Sequence, residues 1–285
     1  MTGPSYNQRF ARTADGTTLS VREADGEGSL IVALHGFTGA AVTMVPLLDE
    51  IRHGRPAIAV DLVGHGESDA PEYLEPYSMA SVVDQVLSII GPRNPETVHL
   101  VGYSMGGRIA LSMAARAPWY FASITSLSAT PGIDDPSERT TRFDADQELA
   151  THLESIGINA FVEQWLEKPI FESYVSSLDD DARAHTIRIR TANSAGGLAN
   201  SLRGTGTGSM PPVWTGLSTL RSPLLAVAGA LDPTYVQIAN DLAESVPNGQ
   251  AAVIEGAGHV VHEEKFDDIS GLVSTFLQSC ESDEH

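Results

Sequence analysis

The sequence predicts an α/β fold, a mostly parallel central sheet flanked by helices with an inserted helical cap. Three observations carry that expectation. Short apolar runs of strand length alternate with stretches of helix length, the pattern of parallel strands joined by right-handed crossovers. The alternation stops after Thr130-Pro131-Gly132. Residues 134–204 then read as helix alone, with Leu149, Leu153 and Ile156, and later Phe161, Trp165 and Leu166, at helical spacing. Beyond the glycine-rich stretch Gly204–Pro212, expected to be a loop, the strand runs resume. The expected division is therefore a core of residues 1–130 and 213–285 and a cap of residues 131–212.

Each element has its own signal. Residues 6–23 read as two short strands around Ala14-Asp15-Gly16-Thr17, with the turn-forming Asp-Gly pair at its centre. Leu30–Leu34 is a continuous apolar run, suited to a strand buried on both faces, and it ends in His35-Gly36-Phe37-Thr38-Gly39. A helix is expected from about Val42 to His53, then a buried strand Ala57–Leu62 and a glycine-rich loop Gly64–Ser68. Ser78 can cap a helix that runs to about Ile90, where Gly91-Pro92 stops it. A strand from Thr97 to Val101 and a helix from Met105 to about Ala117 enclose Gly102-Tyr103-Ser104-Met105-Gly106, and a strand Ile124–Ser128 follows. After the insertion come a strand Leu224–Ala228, a helix near residues 235–246, a strand Ala251–Ile254 and a C-terminal helix near residues 265–279.

Composition excludes several classes. The chain has 285 residues, 42% of them hydrophobic, enough for a substantial core. Cys280 is its one cysteine, so no intrachain disulfide can form, and no metal-ligand spacing stands out among the histidines. Met1–Phe10 lacks the apolar centre of a signal peptide, and the longest apolar runs are strand-sized, so the expectation is a cytoplasmic protein without membrane insertion. A net charge of −20 favours solubility and opposes binding to nucleic acid. Only two of the 17 basic residues are lysines, Lys168 and Lys265, which directs attention to where the arginines lie. Nothing in the sequence signals an oligomeric state.

The chemistry gathers at chain positions just past strand ends, where a doubly wound sheet collects its functional groups. A strand running through Gly-x-Ser-x-Gly into a helix lifts a serine hydroxyl clear of the sheet, and the helix start leaves N–H groups free beside it. That makes Ser104 the candidate nucleophile. Asp232 follows the strand ending at Gly229, and His259 follows Gly256-Ala257-Gly258. A hydroxyl needs an imidazole to take its proton and a carboxylate to orient that imidazole, so the three form a candidate triad in the chain order Ser, Asp, His. Asp61 and His262 are the rivals for the acid and the base. The oxyanion donors expected are the backbone N–H groups of Met105, after the nucleophile, and Phe37, in the loop after the first buried strand. His35 reads as a structural brace of that loop.

These residues resemble one family within the α/β-hydrolases, 2-succinyl-6-hydroxy-2,4-cyclohexadiene-1-carboxylate synthase, the MenH family of menaquinone biosynthesis. The likeness spans nearly the whole chain, from Leu34-His35-Gly36-Phe37-Thr38-Gly39 to Gly256-Ala257-Gly258-His259-Val260-Val261-His262. It rests most on the elbow Gly-Tyr-Ser-Met-Gly-Gly-Arg ending at Arg108, and on Phe161–Trp165 with Pro169-Ile170-Phe171. Arg188–Asn193 and the segment Asn200–Ser209 complete it. The resemblance implies a lyase that removes a proton and expels pyruvate from an enolpyruvyl cyclohexene by 2,5-elimination, with no metal or organic cofactor. Ser104, activated by His259 and Asp232, would then act as a base. The substrate, a small-molecule polycarboxylate, implies cationic binding groups. By resemblance these are Arg108, Arg142 and Arg190, with Tyr103 and Trp165 beside them, and Arg139 and Arg188 are neighbours that could exchange roles with Arg142 and Arg190. The sequence departs from the family after Asp232, where Pro233-Thr234-Tyr235 replaces a nearby lysine and phenylalanine. It departs again near Thr43-Met44, where a tryptophan is usual. The alternative expectation is a serine carboxylesterase or carbon–carbon bond hydrolase working through an acyl-enzyme.

Overall fold

A computed structural model describes residues 6–91 and 98–282. Pro92 and Thr97, expected at a helix stop and a strand start, lie outside the described residues, as do residues 1–5 of the polar N-terminal stretch. Eight strands form one sheet: β1 (Asn7–Arg12), β2 (Thr18–Ala24), β3 (Leu30–Leu34), β4 (Ala57–Val60), β5 (Val98–Tyr103), β6 (Ser123–Leu127), β7 (Leu224–Gly229) and β8 (Gly249–Ile254). Their order across the sheet is β1-β2-β4-β3-β5-β6-β7-β8. β1 and β2 pair antiparallel, β2 joins β4 antiparallel, and the remaining pairs are parallel.

Alternation along the strands explains how both faces are filled. Leu30, Val32 and Leu34 of β3 enter one core, and Ile31 and Ala33 enter the other. The first core is closed by helices α2 (Met79–Ile90) and α3 (Met105–Arg116) with α8 (Trp214–Leu217) and α9 (Pro233–Ser245); the second is closed by α1 (Ala41–Arg52) with α10 (Val261–Glu264) and α11 (Phe266–Ser282). Ser78 Oγ accepts from Ser81 N at the start of α2, the cap expected there. The four-residue helices α8 and α10 are too short to leave a periodic signal, and sequence reading did not find them.

Between β6 and β7 the described chain is helical, with α4 (Pro136–Leu166), α5 (Glu172–Ser177), α6 (Asp180–Thr191) and α7 (Ala195–Thr205) and no strand. α4 bends at Gly157, whose φ of 77° interrupts the helix. α4 packs on α7 through a small core of Ala150, Leu153, Phe161, Leu198, Ala199 and Leu202, against which Phe37 and Trp165 lie. Several boundaries move by a few residues, and two of the differences have a physical reason. β4 stops at Val60 rather than Leu62, because the Asp61 carboxylate accepts from Ala41 N (2.6 Å) and Glu67 N (3.2 Å) and turns the chain away from the ladder. Gly204, the expected junction of the helical stretch and the glycine-rich loop, lies inside α7. A Cβ there would stand 2.2 Å from the Tyr77 carbonyl oxygen, so this glycine serves close helix packing instead of a turn. No helix among the described residues is long and apolar enough to cross a membrane.

Candidate active site

β5 delivers Ser104 into a turn with φ 48° and ψ −107°, a strained conformation for a residue with a side chain. Gly106 makes the turn possible: a Cβ there would lie 2.1 Å from the Leu34 carbonyl oxygen of the neighbouring strand. Ser104 N donates to Leu127 O at 2.8 Å, while Met105 opens α3 at a position whose N–H the helix itself leaves unpaired. β7 and β8 are adjacent, which brings their following loops together. His259 Nε2 lies 3.1 Å from Ser104 Oγ, and His259 Nδ1 lies 2.9 Å from Asp232 Oδ2. Asp232 Oδ1 also accepts from Tyr235 N at 3.3 Å, so the start of α9 fixes the carboxylate. The rings of Tyr235 (4.6 Å), Tyr103 (5.7 Å) and Phe171 (6.1 Å) surround the imidazole and keep it buried.

The two rivals lie elsewhere. Asp61 is occupied with the loop contacts described above. His262 packs against Tyr103 with ring centroids 4.3 Å apart and makes no hydrogen bond to Ser104; burial pushes its pKa down to about 4. His35 is fully buried, with Nε2 accepting from Leu62 N (3.1 Å) and Nδ1 2.8 Å from Gly36 O, a brace for the loop that carries Phe37. Burial lowers its pKa as well, which keeps the ring neutral.

Phe37, Tyr103, Met105, Arg108, Arg142, Trp165 and Arg190 line one cavity with Ser104 and His259, a cleft partly open to solvent. Arg108, from α3, is buried; its Nη1 donates to Thr205 O, and burial lowers its pKa to about 10, so it stays charged at neutral pH. Arg190 of α6 is buried, with Nη1 donating to Thr38 Oγ1 at 2.9 Å. Arg142 of α4 is half exposed and paired to Asp146 Oδ1 at 2.8 Å. Trp165 stacks on Phe161 at 5.7 Å and meets Phe37 edge-on at 5.2 Å. Arg139 and Arg188 do not line the cavity: Arg139 donates to Ile133 O and Asp134 O, and Arg188 lies by His185 at the surface.

Three neighbours escaped sequence reading. Asp146 lines the cavity, is buried, and accepts from Gly208 N at 3.1 Å, tying α4 to the glycine-rich segment; its i,i+4 spacing from Arg142 was the available signal. Tyr235 lines the cavity, and burial raises its phenol pKa. Asn193 links three segments, accepting from Gly66 N (2.7 Å) and donating to Thr38 O (2.8 Å) and Arg190 O (2.9 Å). Among the described residues no group of three or more His, Cys, Asp or Glu side chains could hold a metal ion.

Comparison with known proteins sets this geometry beside others. The alpha/beta hydrolase fold family matches residues 29–266. A Bacillus subtilis (strain 168) protein provisionally assigned as a 2-succinyl-6-hydroxy-2,4-cyclohexadiene-1-carboxylate synthase is 35% identical over 267 residues, covering 93% of this chain and 97% of the relative. A synthase of the same name from Escherichia coli O157:H7 is 27% identical over 248 residues, covering 87% and 92%. Among solved structures, MenH from S. aureus superimposes with a TM-score of 0.86 at 29% identity, covering 92% of this chain and 98% of that one. An esterase from Exiguobacterium antarcticum, at 20% identity and a TM-score of 0.80, shares the fold.

Proposed function

The chain belongs to the alpha/beta hydrolase fold family and, within it, to the 2-succinyl-6-hydroxy-2,4-cyclohexadiene-1-carboxylate synthases, and from that membership we infer that it is a carbon–oxygen lyase of menaquinone biosynthesis. It catalyses the 2,5-elimination of pyruvate from the enolpyruvyl cyclohexene precursor. We propose the following roles. His259 takes the Ser104 proton and Asp232 stabilises the imidazolium; the Ser104 oxygen then removes the ring proton next to the succinyl ketone. The electron pair of the broken C–H bond passes to the ketone oxygen as an enolate, which the N–H groups of Phe37 and Met105 stabilise. Its collapse moves the ring double bond and breaks the carbon–oxygen bond to the enolpyruvyl group, which leaves as enolpyruvate and becomes pyruvate.

One observation supports this reading over ester hydrolysis: three arginines, Arg108, Arg142 and Arg190, share the cavity of Ser104 and His259. A neutral ester has no use for them, whereas a polycarboxylate is oriented as well as attracted by guanidinium groups. Tyr103 and Trp165 supply the apolar and edge contacts around the ring. Residues 131–212 act as a cap: α4, α6 and α7 bring Arg142, Trp165, Arg190 and Ser201 over the strand ends. The test is intact-protein mass spectrometry on the rapidly quenched enzyme during turnover. Base chemistry predicts no covalent adduct on Ser104, and an acyl-enzyme mass would return the site to the hydrolases.

A further inference from the structure

Two nitrogen atoms of His262, which the elimination does not use, and one of Arg190 are buried without hydrogen-bond partners, and both residues line a cavity apart from the active-site cleft. His262 is buried and neither ring nitrogen is bonded; Arg190 is buried and its Nε is unbonded. Both side chains line a second cavity between α1 and α6, with roughly 620 Å³ of empty space including its mouth. Among the described residues, Arg190 is the one that this cavity shares with the active-site cleft. Val42, Pro46, Leu47, Ile189 and Phe266 make its walls largely apolar. A native fold rarely leaves such atoms open, because each buried, unbonded polar group costs about 1–3 kcal/mol. An apolar cavity with a few convergent polar groups is the usual form of a small-molecule site.

The groups define the ligand. Arg190 offers a charged N–H donor, and a neutral imidazole offers one N–H donor and one acceptor. Tyr174 and Glu263 also face this cavity, but Tyr174 Oη donates to Glu263 Oε2 at 2.5 Å, so each already has a partner. The Glu263 carboxylate stands 3.8 Å from His262 Nε2, beyond hydrogen-bond reach. The one arginine can hold one carboxylate, and the Glu263 carboxylate opposes any further negative charge, such as that of phosphate dianion. We propose that this cavity is a second binding site, for a monocarboxylate with an apolar body, whose carboxylate accepts hydrogen bonds from Arg190 Nε and the His262 ring. Arg190 also lines the active-site cleft and holds Thr38 in the Phe37 loop, so occupancy changes substrate binding through the shared guanidinium. The inference does not rest on the elimination chemistry, since binding is measured without turnover.

The test is isothermal titration of the full-length protein with sodium benzoate. Val42→Trp plugs the mouth, where Val42 is half-buried, and His262→Leu removes the imidazole. Circular dichroism melts establish that each variant is folded, and Val42→Trp alone decides the matter if His262→Leu does not fold. The expected result is one site with a Kd on the order of 1 mM, weakened at least tenfold by either substitution. No heat of binding at on the order of 10 mM benzoate means that water alone satisfies these nitrogens, and it overturns the proposal. Binding that survives Val42→Trp but is lost in Arg108→Ala places benzoate in the active-site cleft and overturns it equally.

Discussion

Replacing Arg108 by methionine separates function from stability. The guanidinium is buried, and burial lowers its pKa from the usual arginine value to about 10. Holding it charged inside the fold therefore costs on the order of 3 kcal/mol. Its Nη1 bond to Thr205 O offsets part of that, and the substitution leaves the carbonyl without this partner at about 1–3 kcal/mol. Methionine fills much of the same volume. The two contributions nearly cancel, so Arg108→Met should melt within a few degrees of the wild type or above it. Catalysis should fall sharply. Loss of a buried, charge-assisted contact to a substrate carboxylate is worth about 3 kcal/mol, a decrease of roughly a hundredfold in kcat/KM for pyruvate release. Cleavage of p-nitrophenyl acetate, a small neutral ester, should be nearly unchanged, because Ser104, His259 and Asp232 keep their hydrogen bonds. The assay pairs pyruvate release with ester cleavage and a thermal melt on one preparation. Elimination that survives intact, or that falls together with ester cleavage and melting temperature, would refute the assignment.

Other outcomes follow from the same geometry. Ser104→Ala should lower pyruvate release by on the order of a thousandfold at an unchanged melting temperature, measured in the same assay. Asn193→Ala removes the partners of Gly66 N–H and Thr38 C=O; the fold should lose about 2 kcal/mol in urea unfolding, and kcat should fall more than KM rises because the Phe37 loop loosens. Burial alone would raise the pKa of Glu281, but hydrogen bonds from Arg55, at 2.6 and 2.9 Å, and from Ser29 outweigh it and hold the carboxyl at about 2. A carboxyl whose folded pKa is depressed stabilises the fold above its unfolded pKa. The wild type should therefore exceed Glu281→Gln by about 1 kcal/mol, after discounting for solvent screening, above roughly pH 4.5. That advantage should fade as the pH falls towards about 2, as followed by denaturant melts across the range.

The fold is largely legible in the sequence because its signals are local. Leu30–Leu34 and Ala57–Val60 are apolar throughout, as strands covered on both faces must be, and Ser78 marks a helix start by its own side chain. Ser104, Asp232 and His259 can be picked out because each follows a strand, and a parallel sheet brings those ends together. What the sequence conceals depends on long-range contact. Nothing near Asp146 announces that its carboxylate meets Gly208, and nothing near Asn193 announces its bonds to Thr38 and Gly66. Gly204 reads as the start of a loop because a glycine needed for close approach and a glycine needed for a turn look alike. His259 reads as the base because the glycines before it can present its ring at a sharp turn, with His262 three residues on as its rival. The structure separates them: the loop before α10 turns the His259 ring to Ser104, and α10 packs the buried His262 ring against Tyr103.

Direct measurement of pyruvate release from the enolpyruvyl cyclohexene substrate, coupled to lactate dehydrogenase, tests the central claim most closely. The account predicts release far above the spontaneous rate, with one pyruvate for each conjugated diene formed. Release no faster than the spontaneous rate, together with brisk hydrolysis of simple esters, would contradict it.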